Sequence, residues 1–214
     1  MLLGTSIRVI LLRIPLVLLA ISVHECAHGL AAYFLGDNTA KYNGRLSLNP
    51  LRHMDIMGTI CMLLFGFGWA SPVPVNPQYF KNPKAGMSIV GLAGPLSNFL
   101  MALLFALLLG IFLSYPLPPS SITDFFISLL MTGMSLNVGL GIFNLIPFPP
   151  LDGSKILAYF LPNKWYYRLM EYERYAMPIL MILLFFGILD KPFSIMTGYV
   201  YNILMRIVFA VVGV

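Results

Sequence analysis

Charge is scarce in this chain. Of its 214 residues, 13 are Lys or Arg and 8 are Asp or Glu, together 10%, against 59% hydrophobic; so apolar a balance excludes an ordinary soluble domain. From Ala85 to Thr123, and again from Phe125 to Leu151, there is no Asp, Glu, Lys or Arg. Both runs exceed the roughly 20 apolar residues that a bilayer-crossing helix needs. Cysteine is nearly absent: Cys26 and Cys61 both stand in apolar segments, which excludes a disulfide framework and a zinc-finger spacing and leaves packing as their reading. The net charge of +5 comes without a basic run or interleaved aromatics, which excludes a nucleic-acid face. Long polar stretches are missing too. The longest, about Gly36 to Lys84 and Ser154 to Arg174, leave no room for a separate soluble domain, and there is neither an internal repeat nor a low-complexity tract.

What is present is a series of apolar segments. The first runs from about Ile7 to Leu35 and stops at Gly36-Asp37, a helix-ending pair. Arg8 and Arg13 before an apolar run resemble a secretory signal, but no small-residue cleavage site precedes the histidines that follow, so the segment is expected to stay in the mature protein. Turn signals at Asn43-Gly44 and Asn49-Pro50 lead to a short apolar piece, about Met57 to Trp69, and then to SPVPVNP, Ser71 to Pro77. Alternate prolines exclude helix there and suit an edge strand. Further spans are expected at about Gly86 to Leu113, Ile122 to Ile146, Ala176 to Leu189 and Phe193 to Val214, with a break at Pro147 to Pro150. The expected architecture is an all-α membrane protein: a polytopic helical bundle of about five transmembrane helices, with a short β-hairpin or re-entrant element between the first and second. The loops that share a side with Asp37 and Asp152 hold Lys41, Arg45, Arg52, Lys81, Lys84, Lys155, Lys164, Arg168 and Arg174, while the opposite loops hold only Lys191. The excess of positive charge makes that shared side cytoplasmic and the chain a multi-pass protein of the cell membrane, with the lipid bilayer as its first partner.

Ionisable groups inside a membrane helix are costly and serve function. His24-Glu25-Cys26-Ala27-His28 places two imidazoles one turn apart on one face, where they can take a single zinc ion, with Glu25 beside them as a base for water. At about 1.5 Å per residue the site lies roughly 12 to 18 Å from Gly36, so water must reach it through a protein-walled cavity. Catalytic zinc needs a third protein ligand. The extended pattern HExxHxxGxxH is absent, because Ala31 and Phe34 occupy its Gly and His positions, and the next glutamate after Glu25 is Glu171. Asp37 lies just past the same helix and Asp124 at the far membrane face, which leaves Asp152, on irregular backbone after Pro149-Pro150, as a ligand or as a mere cap for the helix beginning near Ser154.

Three motifs together resemble the site-2 protease family of intramembrane zinc metalloproteases, in its small bacterial and archaeal form: HECAH at His24 to His28, AGPLSN at Ala93 to Asn98, and NLIPFPPLDG at Asn144 to Gly153. The resemblance implies that His24, His28 and Asp152 bind one zinc ion per chain, that Glu25 is the general base and acid, and that Asn144 stabilises the oxyanion. It implies a transmembrane protein as substrate, cut in or near its membrane segment in regulated intramembrane proteolysis, with the active site opening toward the cytoplasm. It also suggests SPVPVNP and the preceding hairpin as the edge that holds an unwound substrate. Asn98 is expected to line the polar cavity, and Gly94 and Pro95 to allow close packing and a kink. His53 and Asp55 stand where small members show HxDPxG, with Ile56 in place of the proline; interfacial structure is their expected role.

The whole chain, 1–214, is expected to be a single integral membrane metalloprotease domain, with a catalytic core of about 7–153 and additional C-terminal spans at about 176–214. The competing reading is a zinc-binding membrane scaffold or metal transporter without hydrolytic activity. A scaffold has no need of Glu25, and a transporter needs ligands along a path that the other spans do not provide. A metalloprotease that clips prenylated carboxyl termini would need glutamates or histidines on later helices, and those are missing.

Overall fold

The computed structural model describes residues 7–55, 58, 70–116 and 118–213. Helix α1 spans Ile7–Phe34 and a single-turn α2 spans Thr39–Tyr42. Long helices follow at Pro83–Leu113 (α3) and Ser121–Leu145 (α4), then a short α5 at Asp152–Phe160, and finally α6 at Asn163–Phe185 and α7 at Asp190–Val212.

The helix ends follow local chemistry. Gly36 takes a φ of 103°, open to glycine at little cost, and the Gly36 and Asp37 amides donate back to the carbonyls of Tyr33 and Ala32 at 3.0 and 2.9 Å, a glycine-based stop. Helix α3 starts at Pro83 with the Asn82 side chain accepting the Ala85 amide at 3.1 Å. Helix α4 starts with Ser120 Oγ accepting the Thr123 amide at 3.2 Å. These side chains satisfy amides that the first helical turn leaves without partners.

Among the described residues, four helical segments are long and apolar enough to cross a membrane: Leu12–Phe34, Pro83–Leu113, Ser121–Leu145 and Asp190–Val212. The expected fourth span, Ala176 to Leu189, is instead the second half of α6, a helix that begins at Asn163 and carries Pro178 inside it. Its apolar part, Tyr175–Phe185, reaches about 16 Å at about 1.5 Å per residue, roughly half of a hydrocarbon core. The expected hairpin is not found among the described residues. Apart from Gly58, Met57 to Trp69 lie outside them; Ser71 to Asn76 form no strand, and Pro77 opens a 3-10 turn, Pro77–Tyr79. Pro72, Pro74 and Pro77 have no amide hydrogen to give a ladder. The Val73 and Asn76 amides donate to the Glu25 and Asp37 carboxylates at 3.0 and 2.7 Å. An isolated antiparallel bridge joins Met54 to Ala70.

Helix α3 is the centre of the bundle, packed against α1, α4, α5 and α7. The main core joins Leu16 of α1, Ala102, Phe105, Ala106 and Leu109 of α3, Met134, Val138 and Ile142 of α4, and Leu204 and Val208 of α7. Glycines let the axes approach: a Cβ at Gly133 would meet the Phe105 ring at 2.7 Å, and one at Gly110 would meet Val211 at 2.8 Å. Such contacts hold helices together in lipid, where apolar burial gives no preference for protein over acyl chains. The opposite face of α3 exposes Ile89, Leu92, Leu96, Leu100, Leu104 and Ile111. That helically spaced apolar stripe is the reverse of a soluble helix and fits association with a bilayer.

Candidate metal centre

Helix α1 carries His24 and His28 on one face, each 7% exposed, with ring centroids 4.6 Å apart and planes nearly perpendicular. Their Nε2 atoms are 3.0 Å apart. Asp152 closes the triangle from the first position of α5: its Oδ2 lies 3.1 Å from His24 Nε2 and 3.0 Å from His28 Nε2. Its Oδ1 accepts from Lys155 Nζ at 2.9 Å. Asp152 does not cap α5, since the N-cap position is Leu151 and no side-chain cap bond is made. The elimination among aspartates agrees with this geometry. Both Asp37 oxygens are engaged elsewhere, Oδ1 by Thr39 and Oδ2 by the Asn76 amide, and Asp124 is exposed in the first turn of α4.

Glycine backbone makes room for the cluster. A Cβ at Gly94 would stand 2.5 Å from His28 Nε2 and 2.6 Å from His24 Cε1, so the bare main chain of α3 is one wall of the site. One turn earlier, a Cβ at Gly91 would stand 3.1 Å from the Asp152 carbonyl oxygen, which brings the start of α5 close against α3. Gly153 abuts the Leu145 and Ile146 carbonyl oxygens, where no side chain fits. The Pro147–Pro150 break therefore turns the chain tightly enough to aim Asp152 back at α1.

Each imidazole is also held from behind. His28 Nδ1 donates to the Val90 carbonyl at 2.7 Å, and His24 Nδ1 donates to Asn98 Oδ1 at 2.6 Å. With both Nδ1 atoms carrying the hydrogen, both Nε2 lone pairs point at Asp152 Oδ2. With both imidazoles neutral, three lone-pair donors converge in a buried site, an arrangement that suits a bound cation. The donor atoms lie within 4.8 Å of one another. Two imidazoles and one carboxylate are a catalytic zinc donor set, and ligand atoms about 2.0–2.1 Å from a tetrahedral ion lie about 3.3 Å apart. These residues fit zinc.

Glu25, half-buried beside His24, accepts the Val73 amide on Oε2 at 3.0 Å. Asn144 Nδ2 donates to the Leu140 carbonyl of its own helix at 3.0 Å. His53 is buried, its Nε2 donating to the Ser47 carbonyl at 2.7 Å and its own carbonyl accepting the Ser71 amide at 2.8 Å, while Asp55 Oδ1 accepts the Gly58 amide at 2.7 Å. Reading the residues alone placed Asn98 in the cavity but not on His24. It passed over Asn137, whose Oδ1 accepts from Asn98 Nδ2 at 3.1 Å, and Lys155. A signal for Asn137 was available: it stands seven residues before Asn144 in a charge-free span, on the same helix face.

Residues 118–187 match Peptidase family M50. YwhC of Bacillus subtilis is 39% identical over 170 residues, covering 78% of this chain and 76% of that protein. Rip2 of Mycolicibacterium smegmatis is 28% identical over 181 residues, 82% of this chain and 67% of that protein. Both are provisionally named zinc metalloproteases. The zinc metalloprotease MJ0392 of Methanocaldococcus jannaschii is 34% identical over 118 residues, 51% of this chain and 31% of that protein. No solved structure gives a significant match. A two-imidazole, one-carboxylate site within a bundle of apolar helices agrees with these likenesses, and the chain belongs to the site-2 protease family of zinc metalloproteases, Peptidase family M50.

Proposed function

We propose that this protein is an intramembrane endopeptidase that hydrolyses peptide bonds in or beside the transmembrane segments of other membrane proteins, in regulated intramembrane proteolysis. The observation that carries the reading is the convergence of Asp152 on His24 and His28, which stand within an apolar helix about 9 to 15 Å from its end at Phe34. A soluble peptide has no reason to seek a site at that depth. The whole chain acts as one domain, with the catalytic core at about 7–153. The Lys and Arg residues around Asp37 and Asp152 orient the chain in the cell membrane so that the site opens toward the cytoplasm.

His24, His28 and Asp152 hold the zinc. When bound, zinc supplies Lewis acidity toward water and the scissile carbonyl. Glu25 takes the proton of the attacking water and returns it to the leaving amide nitrogen. The Val73 amide on Oε2 aims this carboxylate and leaves Oε1 to carry the proton. Asn144 Nδ2 donates to the carbonyl oxygen as negative charge builds there, after turning away from the Leu140 carbonyl. The substrate must unwind to expose its peptide bond, and the extended Ser71 to Asn76 segment beside Glu25 offers it a backbone edge.

The test is proteolysis of a model transmembrane substrate by the purified protein in detergent, with and without a zinc chelator and beside Glu25→Gln, with metal content measured on each sample. Cleavage is expected to need both zinc and Glu25, and Glu25→Gln is expected to retain its metal. One bound zinc with equal cleavage by Glu25→Gln would remove Glu25 from the mechanism. Bound zinc with no cleavage of any transmembrane substrate would favour a non-proteolytic scaffold or a metal transporter.

A further inference from the structure

We infer that Asn137, through Asn98, is a positioning residue that sets which nitrogen of His24 is free to bind metal; this rests on the reading of His24 as a zinc ligand. An imidazole ligates through Nε2 only if its hydrogen sits on Nδ1, and the group facing Nδ1 decides that. For His28 the matter is simple: Nδ1 faces the Val90 backbone carbonyl at 2.7 Å, which can only accept. For His24 it is not. Nδ1 faces a primary amide, that of Asn98, at 2.6 Å, and an amide turned through 180° would present NH2 instead of oxygen. His24 would then have to carry its hydrogen on Nε2, pointing at Asp152 Oδ2, and its lone pair would be lost to the site.

What prevents the turn is a second amide and a second backbone carbonyl. Asn98 is 0% and Asn137 1% exposed, so solvent does not compensate a misdirected group. Asn98 Nδ2 donates to Asn137 Oδ1 at 3.1 Å, and Asn137 Nδ2 donates to the Gly133 carbonyl at 2.9 Å. Because the Gly133 oxygen has no hydrogen to give, the polarity of the series is dictated from that end. Gly133 demands a donor from Asn137, Asn137 then offers an acceptor to Asn98, and Asn98 in turn offers an acceptor to His24. Reversing either amide would set oxygen against oxygen in a buried place. Both zinc-binding histidines are thus set by backbone carbonyls, one directly from α3 and one from α4 through two side-chain amides.

The experiment uses the full chain in detergent and reads two quantities besides activity: zinc affinity by chelator competition, and the His24 tautomer from nitrogen NMR of the zinc-free protein. Asn137→Leu is expected to mix the tautomers of His24 while leaving His28 unchanged, and to weaken zinc by about 10- to 100-fold, the range for residues one step behind a ligand. Asn137→Asp, entering as the neutral acid, keeps the same donor and acceptor order and is expected to stay near the parent. Asn98→Asp combined with Asn137→Leu is expected to restore the His24 tautomer, because a carboxylate facing Nδ1 has no wrong way round. An Asn137→Leu protein with parental zinc affinity and His24 still protonated on Nδ1 would overturn the relay, as would a double variant no better than Asn137→Leu. His24→Ala separates this from the ligand reading: unchanged zinc affinity there would overturn both, whereas lost zinc there with an unaffected Asn137→Leu would overturn the relay alone.

Discussion

The two ends of this molecule share a solvent and an apolar composition but are built on different terms. In the part formed by α1, α3, α4 and the start of α5, the buried residues include Ser22, His24, His28, Asn98, Asn137, Asp152 and Ser154. In α6 and α7 the buried residues among those whose side chains are described are Ala176, Leu180, Leu204 and Val208, while Ile182, Phe185 and Tyr199 lie exposed. Polar groups buried in a membrane protein must each find a partner of the right kind at the right distance, so each one constrains several neighbours. Apolar contacts are non-directional, and many side chains of suitable volume serve. Function is therefore concentrated where the packing is least forgiving.

The largest break in that contrast is expected from Asp152→Ala. Removing the sole acidic member of the cluster should take bound zinc well below one per chain and cleavage to background, measured by metal analysis and substrate assay on the same sample. Gly94→Val comes next. Its new side chain would push on both imidazoles, and zinc affinity in a chelator competition is expected to fall by about 10- to 100-fold. Leu204→Ala, at the α7 contact with the core, should lower stability by about 2–5 kcal/mol, read as a lower unfolding midpoint, with zinc content unchanged. Gly198→Ala in α7 is the smallest. A Cβ there meets nothing within 4 Å, so stability is expected to stay the same or rise by up to about 1 kcal/mol from helix propensity. If Gly198→Ala reduced zinc affinity as much as Gly94→Val, the proposed division of the molecule would fail.

Much of the site was legible because its information is local. Two histidines at a spacing of four face one way on any helix, and Gly36 announces the end of α1. Elimination among the few acids left Asp152 as a ligand or a helix cap, and the resemblance to the site-2 protease family pointed to the ligand. The hairpin was read from alternating prolines, yet those prolines are why Ser71 to Pro77 form no ladder among the described residues. The fourth span was drawn from hydropathy alone, whereas helix continuity from Asn163 depends on backbone hydrogen bonds that an apolar window does not sense. Asn144 and Asn98 were both noticed, but their separate partners, Leu140 and His24, depend on helix rotation and on how closely α3 approaches α1.

By itself, then, the order of residues determined a bundle of apolar helices, a candidate metal-binding face on the first of them and a candidate carboxylate far along the chain, because periodicity and the scarcity of charge are properties of the chain alone. Only the tertiary structure decided that Gly91, Gly94 and Gly153 bring three segments close enough for one Asp152 oxygen to meet both histidines, and that two amides and a carbonyl on neighbouring helices stand behind His24. Distances between helices come from side chains meeting across them, and hydrogen-bond direction comes from the far end of a series of groups. Neither is a property of any one segment.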